Sequence, residues 1–269
     1  MVFELSALGF EISEDLDEQL DVLQENDIHH IEFRGAYGTW IPEFSNSDIQ
    51  DIAQKIHNRG MYVSSVASPV GKSSIEDPLN IDTIRTSLEH TAILESPHMR
   101  IFSFFTPEGV NPSSYQDIVL DRLSVISDIA QHYDAIQLCH ENETGTFGDN
   151  LERLRTIYER FPGMGAVFDP ANFTRSGCDP LECMVGLKDR VRYVHIKDMD
   201  KETGRYVMVG KGDARIKEVL EEIKKGDSKG YMLSLEPSLG EYTHGVRALT
   251  GPATFTEYAN TLKQILREI

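Results

Sequence analysis

Cysteine is scarce in this chain of 269 residues, which excludes a scaffold held together by disulfides. The three cysteines are Cys139, Cys178 and Cys183. An odd number of cysteines without a regular framework is typical of a protein in a reducing compartment. Cys178 and Cys183 do not have the Cys-x-x-Cys spacing of zinc-thiolate sites, so we expect no such site.

Basic residues and long apolar runs are also lacking. Lys and Arg number 26 against 44 Asp and Glu, which gives a formal net charge of −18. Because this charge repels phosphate backbones, we expect no nucleic-acid partner. No apolar run reaches the roughly 20 residues of a membrane-spanning helix, and the segment Met1–Phe10 lacks the basic residues of a signal peptide. These absences predict a cytoplasmic protein with no membrane partner.

The chain does contain a regular alternation of short apolar runs, typical of buried parallel strands, with longer amphipathic segments. Such strand–helix units imply either a closed (β/α)8 barrel or a doubly wound sheet. The first strand–helix turn has no Gly-x-Gly-x-x-Gly, which disfavours a dinucleotide-binding sheet. We therefore predict an α/β fold, a single (β/α)8 TIM barrel domain over residues 1–269. The predicted strands are Phe3–Gly9, His30–Arg34, Tyr62–Ala67, Met99–Phe104, Ala135–His140, Gly165–Asp169, Arg192–Lys197 and Tyr231–Glu236.

Helix start and stop signals lie between these strands. Gly60 is expected at the position just past the end of the second helix. Thr254 and Glu257 have the spacing of a capping box at the start of the last helix. The predicted helices begin near Asp15, Ser47, Asp82, Tyr115, Asn150, Pro180, Arg215 and Phe255.

A metal-competent residue ends each of the last four predicted strands. These residues are Glu141, Asp169, His195 and Glu236, at separations close to one strand–helix unit per step. If the strands are parallel, all four side chains meet at one end of the barrel, the mouth that carries function in this fold. A set of carboxylates with one imidazole suits Mn²⁺, Mg²⁺, Co²⁺ or Zn²⁺. The sequence thus predicts a site for one divalent ion.

Taken as a set, these strand ends resemble the sugar-phosphate isomerase/epimerase superfamily, the xylose isomerase-like TIM barrels that include ketose 3-epimerases, inosose dehydratases and relatives of the AP endonucleases. The resemblance covers essentially the whole chain. It implies a barrel enzyme but no particular substrate, because the superfamily hosts several chemistries. The segments that carry it are His140-Glu141-Asn142, Phe168-Asp169-Pro170-Ala171-Asn172, His195-Ile196-Lys197-Asp198, Leu235-Glu236-Pro237, Ile31-Glu32-Phe33-Arg34 and Ser68-Pro69-Val70-Gly71-Lys72.

The resemblance also implies a mechanism. In the ketose epimerases, two metal-bound glutamates remove and return a proton next to a carbonyl, and the cation stabilises the enediolate. The matching catalytic residues here are Glu141 and Glu236. Asp169 and His195 would anchor the metal, and the partner would be a small sugar, sugar phosphate or polyol. Self-association into a homo-oligomer is left open.

Five further residues are predicted to bind substrate at the same mouth. Strand alternation places Lys197 on the same face as His195, where it would hold a substrate oxygen or form an ion pair with a carboxylate. Asn172 occupies a position where relatives with larger metal sites have a histidine, so it would contact substrate or support a ligand. The remaining candidates are Arg34, Trp40 and His244.

Other functions remain open from the sequence. The same metal ion and carboxylates could remove a hydroxyl beside a ketone by β-elimination, as inosose dehydratases and keto-glycoside lyases do. An endonuclease is disfavoured, because those relatives need about three metals and further histidines that this chain lacks, and because the net charge is −18. A sugar-binding barrel without catalysis is the last alternative.

Overall fold

A computed structural model describes residues 3–225, 230–240, 242–243 and 246–269, of which residues 242–243 and 246–247 are described by their backbone only. Its central feature is a closed barrel of parallel strands, so the doubly wound sheet is excluded. Each strand pairs with its neighbours in sequence, and the last strand pairs with the first. The barrel strands are β1 (Phe3–Leu8), β2 (His30–Phe33), β3 (Tyr62–Val66), β4 (His98–Ile101), β5 (Gln137–Glu141), β6 (Gly165–Phe168), β7 (Val191–Ile196) and β8 (Tyr231–Leu235).

Helices follow every strand and surround the barrel. Between β6 and β7 there are two helices where the sequence predicts one, and the extra one is a short helix that begins directly after Asp169. No helix in the described part of the chain has the length and apolar character needed to cross a membrane. The helices are α1 (Leu16–Glu25), α2 (Asn46–Asn58), α3 (Ile81–Ile93), α4 (Gln116–Ala130), α5 (Leu151–Arg160), α6 (Pro170–Arg175), α7 (Pro180–Leu187), α8 (Ile216–Lys224) and α9 (Pro252–Glu268).

The ends of the helices confirm one sequence signal and correct another. Gly60 follows the last residues of α2 with a φ of +67°, a conformation that glycine adopts at no steric cost. The capping box predicted at Thr254 is wrong. The last helix begins at Pro252 after Gly251, so Thr254 and Glu257 lie inside it. Proline suits the first helical turn because its missing N–H has no helical partner there.

Strand alternation separates an apolar outer layer from a polar barrel interior. On β2, Ile31 and Phe33 join the hydrophobic core between strands and helices. Glu32 lies between them and points into the barrel, where it accepts a hydrogen bond from Ser234 on β8. Because carboxylates and hydroxyls are costly to bury unless they are hydrogen-bonded, an interior of this kind indicates a function near the barrel axis.

The glycine-rich loop after β7 is held by one buried carboxylate. Asp198 accepts backbone N–H groups from Gly210, Gly212 and Ala214 at 2.8 to 3.1 Å. Backbone N–H groups in such loops are ready sites for anions. Here the carboxylate of Asp198 accepts these hydrogen bonds instead of an external anion. The loop is therefore held in place at the mouth of the barrel.

Candidate metal and substrate site

Four side chains from four neighbouring strand ends converge at the mouth of the barrel. Glu141, Asp169, His195 and Glu236 are all buried, and one ligand atom from each lies within 4.8 Å of the others. Parallel pairing of β5 with β6, β6 with β7, and β7 with β8 brings these strand ends side by side. The convergence expected from the sequence is therefore present in the fold.

His195 faces three carboxylates with its Nδ1 atom. This nitrogen lies 2.9 Å from Glu236 Oε2, 3.3 Å from Glu141 Oε1 and 3.9 Å from Asp169 Oδ2. Two atoms that share one cation at bonds of about 2.1 Å lie roughly 3 Å apart. The separations from Glu236 and Glu141 match that spacing, so the cluster has the dimensions of a site for a single ion.

Unsatisfied polar atoms provide a test of whether a cation fits. Within the described residues, His195 Nδ1, Asp169 Oδ2, Glu236 Oε2 and Glu141 Oε2 are buried and make no hydrogen bond. Buried polar atoms without hydrogen bonds are rare in folded proteins and demand an explanation. One such atom comes from each of the four predicted ligands, and of these Glu141 Oε2 also has an ion-pair contact with Arg100 Nη1 at 3.2 Å. A bound cation would satisfy them, so the residues present fit a divalent ion.

The charge of the buried cluster supports the same assignment. The interior carboxylates of Glu32, Glu141, Asp169 and Glu236 face two buried cations, Arg100 and Lys197. With His195 neutral, these groups leave two negative charges uncompensated, and a divalent ion would neutralise them. Without the ion, burial lowers the pKa of His195 but the surrounding carboxylates raise it well above its ordinary value. A proton on His195 then supplies part of the positive charge that a bound cation would supply.

Lys197 and Glu236 form a buried ion pair at one side of the cluster. Lys197 Nζ lies 2.8 Å from Glu236 Oε1 and 3.6 Å from Asp169 Oδ2. Burial lowers the pKa of Lys197, but Glu236 and Asp169 raise it well above its usual range, so the amine stays charged. Burial raises the pKa of Glu236, but Lys197 and His195 hold it well below its usual range. Lys197 thus lies beside the predicted metal ligands, and its contact with a substrate stays a prediction.

Each carboxylate oxygen of Glu141 has a polar contact with another side chain. Asn172 Nδ2 donates to Glu141 Oε1 at 3.2 Å, and Arg100 Nη1 lies 3.2 Å from Glu141 Oε2. Burial raises the pKa of Glu141, but His195 and Arg100 lower it to about 2. The side chain of Asn172 thus supports a predicted ligand, and its backbone N–H donates to Asp169 Oδ1 at 2.9 Å.

Arg34 and Trp40 lie together beyond β2. The Arg34 guanidinium carbon is 4.0 Å from the Trp40 ring centre, and Phe10 packs on the same indole with ring centres 4.2 Å apart. All three side chains are partly exposed. The geometry forms an aromatic and cationic wall, but its contact with a substrate remains a prediction. His244, the last of the predicted substrate-binding residues, lies outside the described residues.

Three residues of this region were missed by the sequence predictions. Glu32 and Arg100 are charged residues in the middle of apolar strands, and both are buried in the barrel interior. A charge inside an apolar strand is the signal that could have found them, because charged residues are almost never fully buried unless paired. Tyr206 lies in a short β-hairpin that follows β7. Its ring centre lies 4.9 Å from Lys197 Nζ, and no strand-end pattern marked it.

Comparisons with known proteins agree with this architecture. A family model described as a xylose isomerase-like TIM barrel matches residues 20–251. A comparison with curated protein sequences finds no significant match. Among solved structures, a D-tagatose 3-epimerase-like protein superposes with a TM-score of 0.78 at 19% identity, covering 98% of this chain and 97% of that chain.

Two further structures share the fold. The IOLI protein with a bound zinc atom has a TM-score of 0.73 at 17% identity, covering 98% of this chain and 97% of that chain. The probable 3-DHS dehydratase AsbF from Bacillus anthracis has a TM-score of 0.72 at 15% identity, covering 98% of this chain and 99% of that chain. At these identities the likeness establishes the fold, and residue roles have to be argued from the site itself.

Proposed function

Because the chain belongs to the family of xylose isomerase-like TIM barrels, we propose that it is a divalent-metal-dependent isomerase or epimerase of a small sugar or polyol. Residues 1–269 would act as one catalytic domain. The observation that carries the proposal is the convergence of Glu141, Asp169, His195 and Glu236 on one point at the mouth. A small polar substrate, rather than a nucleic acid, suits a chain with a net charge of −18.

The four residues would hold one divalent cation of the Mn²⁺, Mg²⁺, Co²⁺ or Zn²⁺ type. When bound, the ion supplies Lewis-acid stabilisation of negative charge that develops on substrate oxygens. His195 would bind through Nδ1, the nitrogen that faces the three carboxylates. Asp169 and His195 are anchors in this scheme, since neither is needed as a base.

Glu141 and Glu236 would exchange the substrate proton. They stand at the ends of β5 and β8, which are separated in the barrel by two strands, so they can approach a substrate from different sides. One carboxylate takes the proton from the carbon next to the carbonyl, and the other returns one. Lys197, charged and 2.8 Å from Glu236, would donate a hydrogen bond to the substrate oxygen that becomes negative.

β-Elimination is the second candidate, and a specific contact favours it. The two oxygens of Glu141 face Arg100 and Asn172, whereas Glu236 has Lys197 at Oε1 and only the predicted ligand His195 at Oε2. A dehydratase needs one base to take the proton and one acid to protonate the departing hydroxyl. Glu236 and Lys197 would serve as that pair. The structural likeness to a probable dehydratase is compatible with this reaction.

A panel of ketoses and inososes assayed in D₂O with excess Mn²⁺ tests the proposal. We expect deuterium to enter the carbon next to the carbonyl of at least one substrate, as seen by proton NMR. Epimerisation conserves the molecular formula, whereas elimination releases water and gives an unsaturated ketone that absorbs in the ultraviolet. Metal binding without exchange or turnover of any sugar would instead support the non-catalytic sugar-binding barrel.

A further inference from the structure

Glu32 lies behind the candidate metal site, in the polar interior of the barrel. Its side chain is completely buried, and it comes from β2, outside the four strands that supply the predicted ligands. A carboxylate in such a place costs free energy unless its oxygens are hydrogen-bonded. The contacts of Glu32 therefore decide what it does.

Four side chains from three other strands converge on Glu32. His195 Nε2 lies 3.0 Å from Oε2 and 3.3 Å from Oε1. Ser234 donates its hydroxyl to Oε2 at 2.6 Å, and Tyr193 donates its hydroxyl to Oε1 at 3.2 Å. The Arg100 guanidinium is 3.9 Å away. Ser234 and Tyr193 thus fix the position of the carboxylate, which also contacts His195 and Arg100.

We propose that Glu32 is a positioning residue for the metal site, which orients His195 and fixes its tautomer. The proposal rests on the proposed metal-binding function. A carboxylate accepts hydrogen bonds, so it favours a proton on Nε2 and leaves the lone pair on Nδ1. Nδ1 is the atom that faces Glu141, Asp169 and Glu236. Partners of this kind on the far side of a ligating histidine raise metal affinity.

Arg100 connects Glu32 to a second predicted ligand. Its Nη1 atom lies 3.2 Å from Glu141 Oε2 and 3.9 Å from Glu32 Oε1, and its side chain is buried. The ion pair with Glu32 keeps the guanidinium next to Glu141. Loss of the Glu32 charge would therefore disturb two ligands, His195 directly and Glu141 through Arg100.

The test is a Glu32→Gln variant, which keeps the size of the side chain but removes its charge and one acceptor oxygen. Mn²⁺ affinity is measured by isothermal titration calorimetry on chelator-treated protein. We expect about a 10- to 100-fold loss of affinity relative to the wild type. A Glu11→Gln variant is the matched control, since Glu11 is also a buried carboxylate, held by Ser238 and Thr250. It should retain wild-type affinity.

A spectroscopic readout separates positioning from general stability. In ¹⁵N-histidine-labelled protein loaded with diamagnetic Zn²⁺, we expect the His195 ring to carry its proton on Nε2 in the wild type. In Glu32→Gln protein saturated with Zn²⁺, that proton should exchange faster with solvent, because its acceptor is weakened. Circular dichroism would show that the variant is folded.

The outcomes distinguish this proposal from the proposed function. Wild-type metal affinity and an unchanged His195 signal in a folded Glu32→Gln protein would overturn the role of Glu32 and leave the metal-dependent enzyme intact. Normal metal binding and positioning without any catalysed exchange would overturn the enzyme function alone. A wild-type protein that binds no divalent ion would overturn both.

Discussion

Lys197 Nζ lies 2.8 Å from Glu236 Oε1, so a buried ammonium is paired with one of the two carboxylates proposed to exchange protons with the substrate. Both side chains project from the mouth ends of neighbouring strands, β7 and β8. The ring of Tyr206 lies 4.9 Å from the same ammonium. A substrate oxygen that approached Lys197 would therefore also approach Glu236 and an aromatic surface.

Replacing Lys197 by methionine should slow catalysis while leaving the fold intact. The change removes the hydrogen-bond donor for the developing oxyanion, and we expect kcat to fall on the order of 10²- to 10⁴-fold. The matched control is Lys188→Met, which removes a lysine whose Nζ lies 3.3 Å from Glu222 Oε1. Equal kcat values for the two variants would contradict a role for Lys197 in the reaction.

The Glu141→Gln and Glu236→Gln variants discriminate between the two candidate reactions. Each is loaded with excess Mn²⁺ to compensate for weaker metal binding, and solvent deuterium exchange into the substrate is followed by NMR. If the reaction uses two carboxylates, both variants should lose about 10²- to 10⁴-fold in exchange rate. If Glu236 and Lys197 act as a base and acid pair, the loss should be concentrated in Glu236→Gln. Wild-type exchange in both variants would refute either mechanism.

Removal of the metal should destabilise the folded protein. The buried cluster has an excess of carboxylates over cations, and a bound divalent ion would relieve their repulsion. An ion present at 100 times its dissociation constant adds about 2.7 kcal/mol to the free energy of unfolding. Thermal unfolding by circular dichroism should thus give a higher Tm with Mn²⁺ than with a chelator. An identical Tm under both conditions would argue against a site in this cluster.

The fluorescence of Trp40 should report substrate binding. It is the single tryptophan of the chain, and it packs against Arg34 and Phe10 near the end of β2. A polyol that contacts this wall would change the environment of the indole, so we expect a saturable change in emission in metal-loaded protein. An Arg34→Met variant should weaken that response. An unchanged emission in wild type at saturating substrate would remove Arg34 and Trp40 from the substrate site.

An Asp198→Ala change should destabilise the loop after β7. It leaves the backbone N–H groups of Gly210, Gly212 and Ala214 without their shared acceptor. Only Ala214 of the three is buried, and a buried donor left unsatisfied costs about 1–3 kcal/mol, so a loss of about 1–3 kcal/mol in the free energy of unfolding is expected. Urea denaturation measures it. A variant as stable as the wild type would show that solvent satisfies these groups.

The strand pattern made the barrel and its four converging side chains predictable. Each of the four lies at the end of a strand, and the runs of apolar residues in the sequence show where each strand ends. Glu32 and Arg100 were not predicted as site residues, because they act across the barrel from other strands and their partners are distant in sequence. Helix α6 was missed because its six residues are too few to show a helical period.

Anomalous diffraction from Mn²⁺-soaked crystals tests the central claim most directly. One strong peak per chain is expected at bonding distance, about 2.0–2.3 Å, from His195 Nδ1 and from carboxylate oxygens of Glu141, Asp169 and Glu236. Glu32 should remain hydrogen-bonded to His195 Nε2. The absence of a peak at this position, or a cluster of three ions, would contradict a single-metal site built from these four residues.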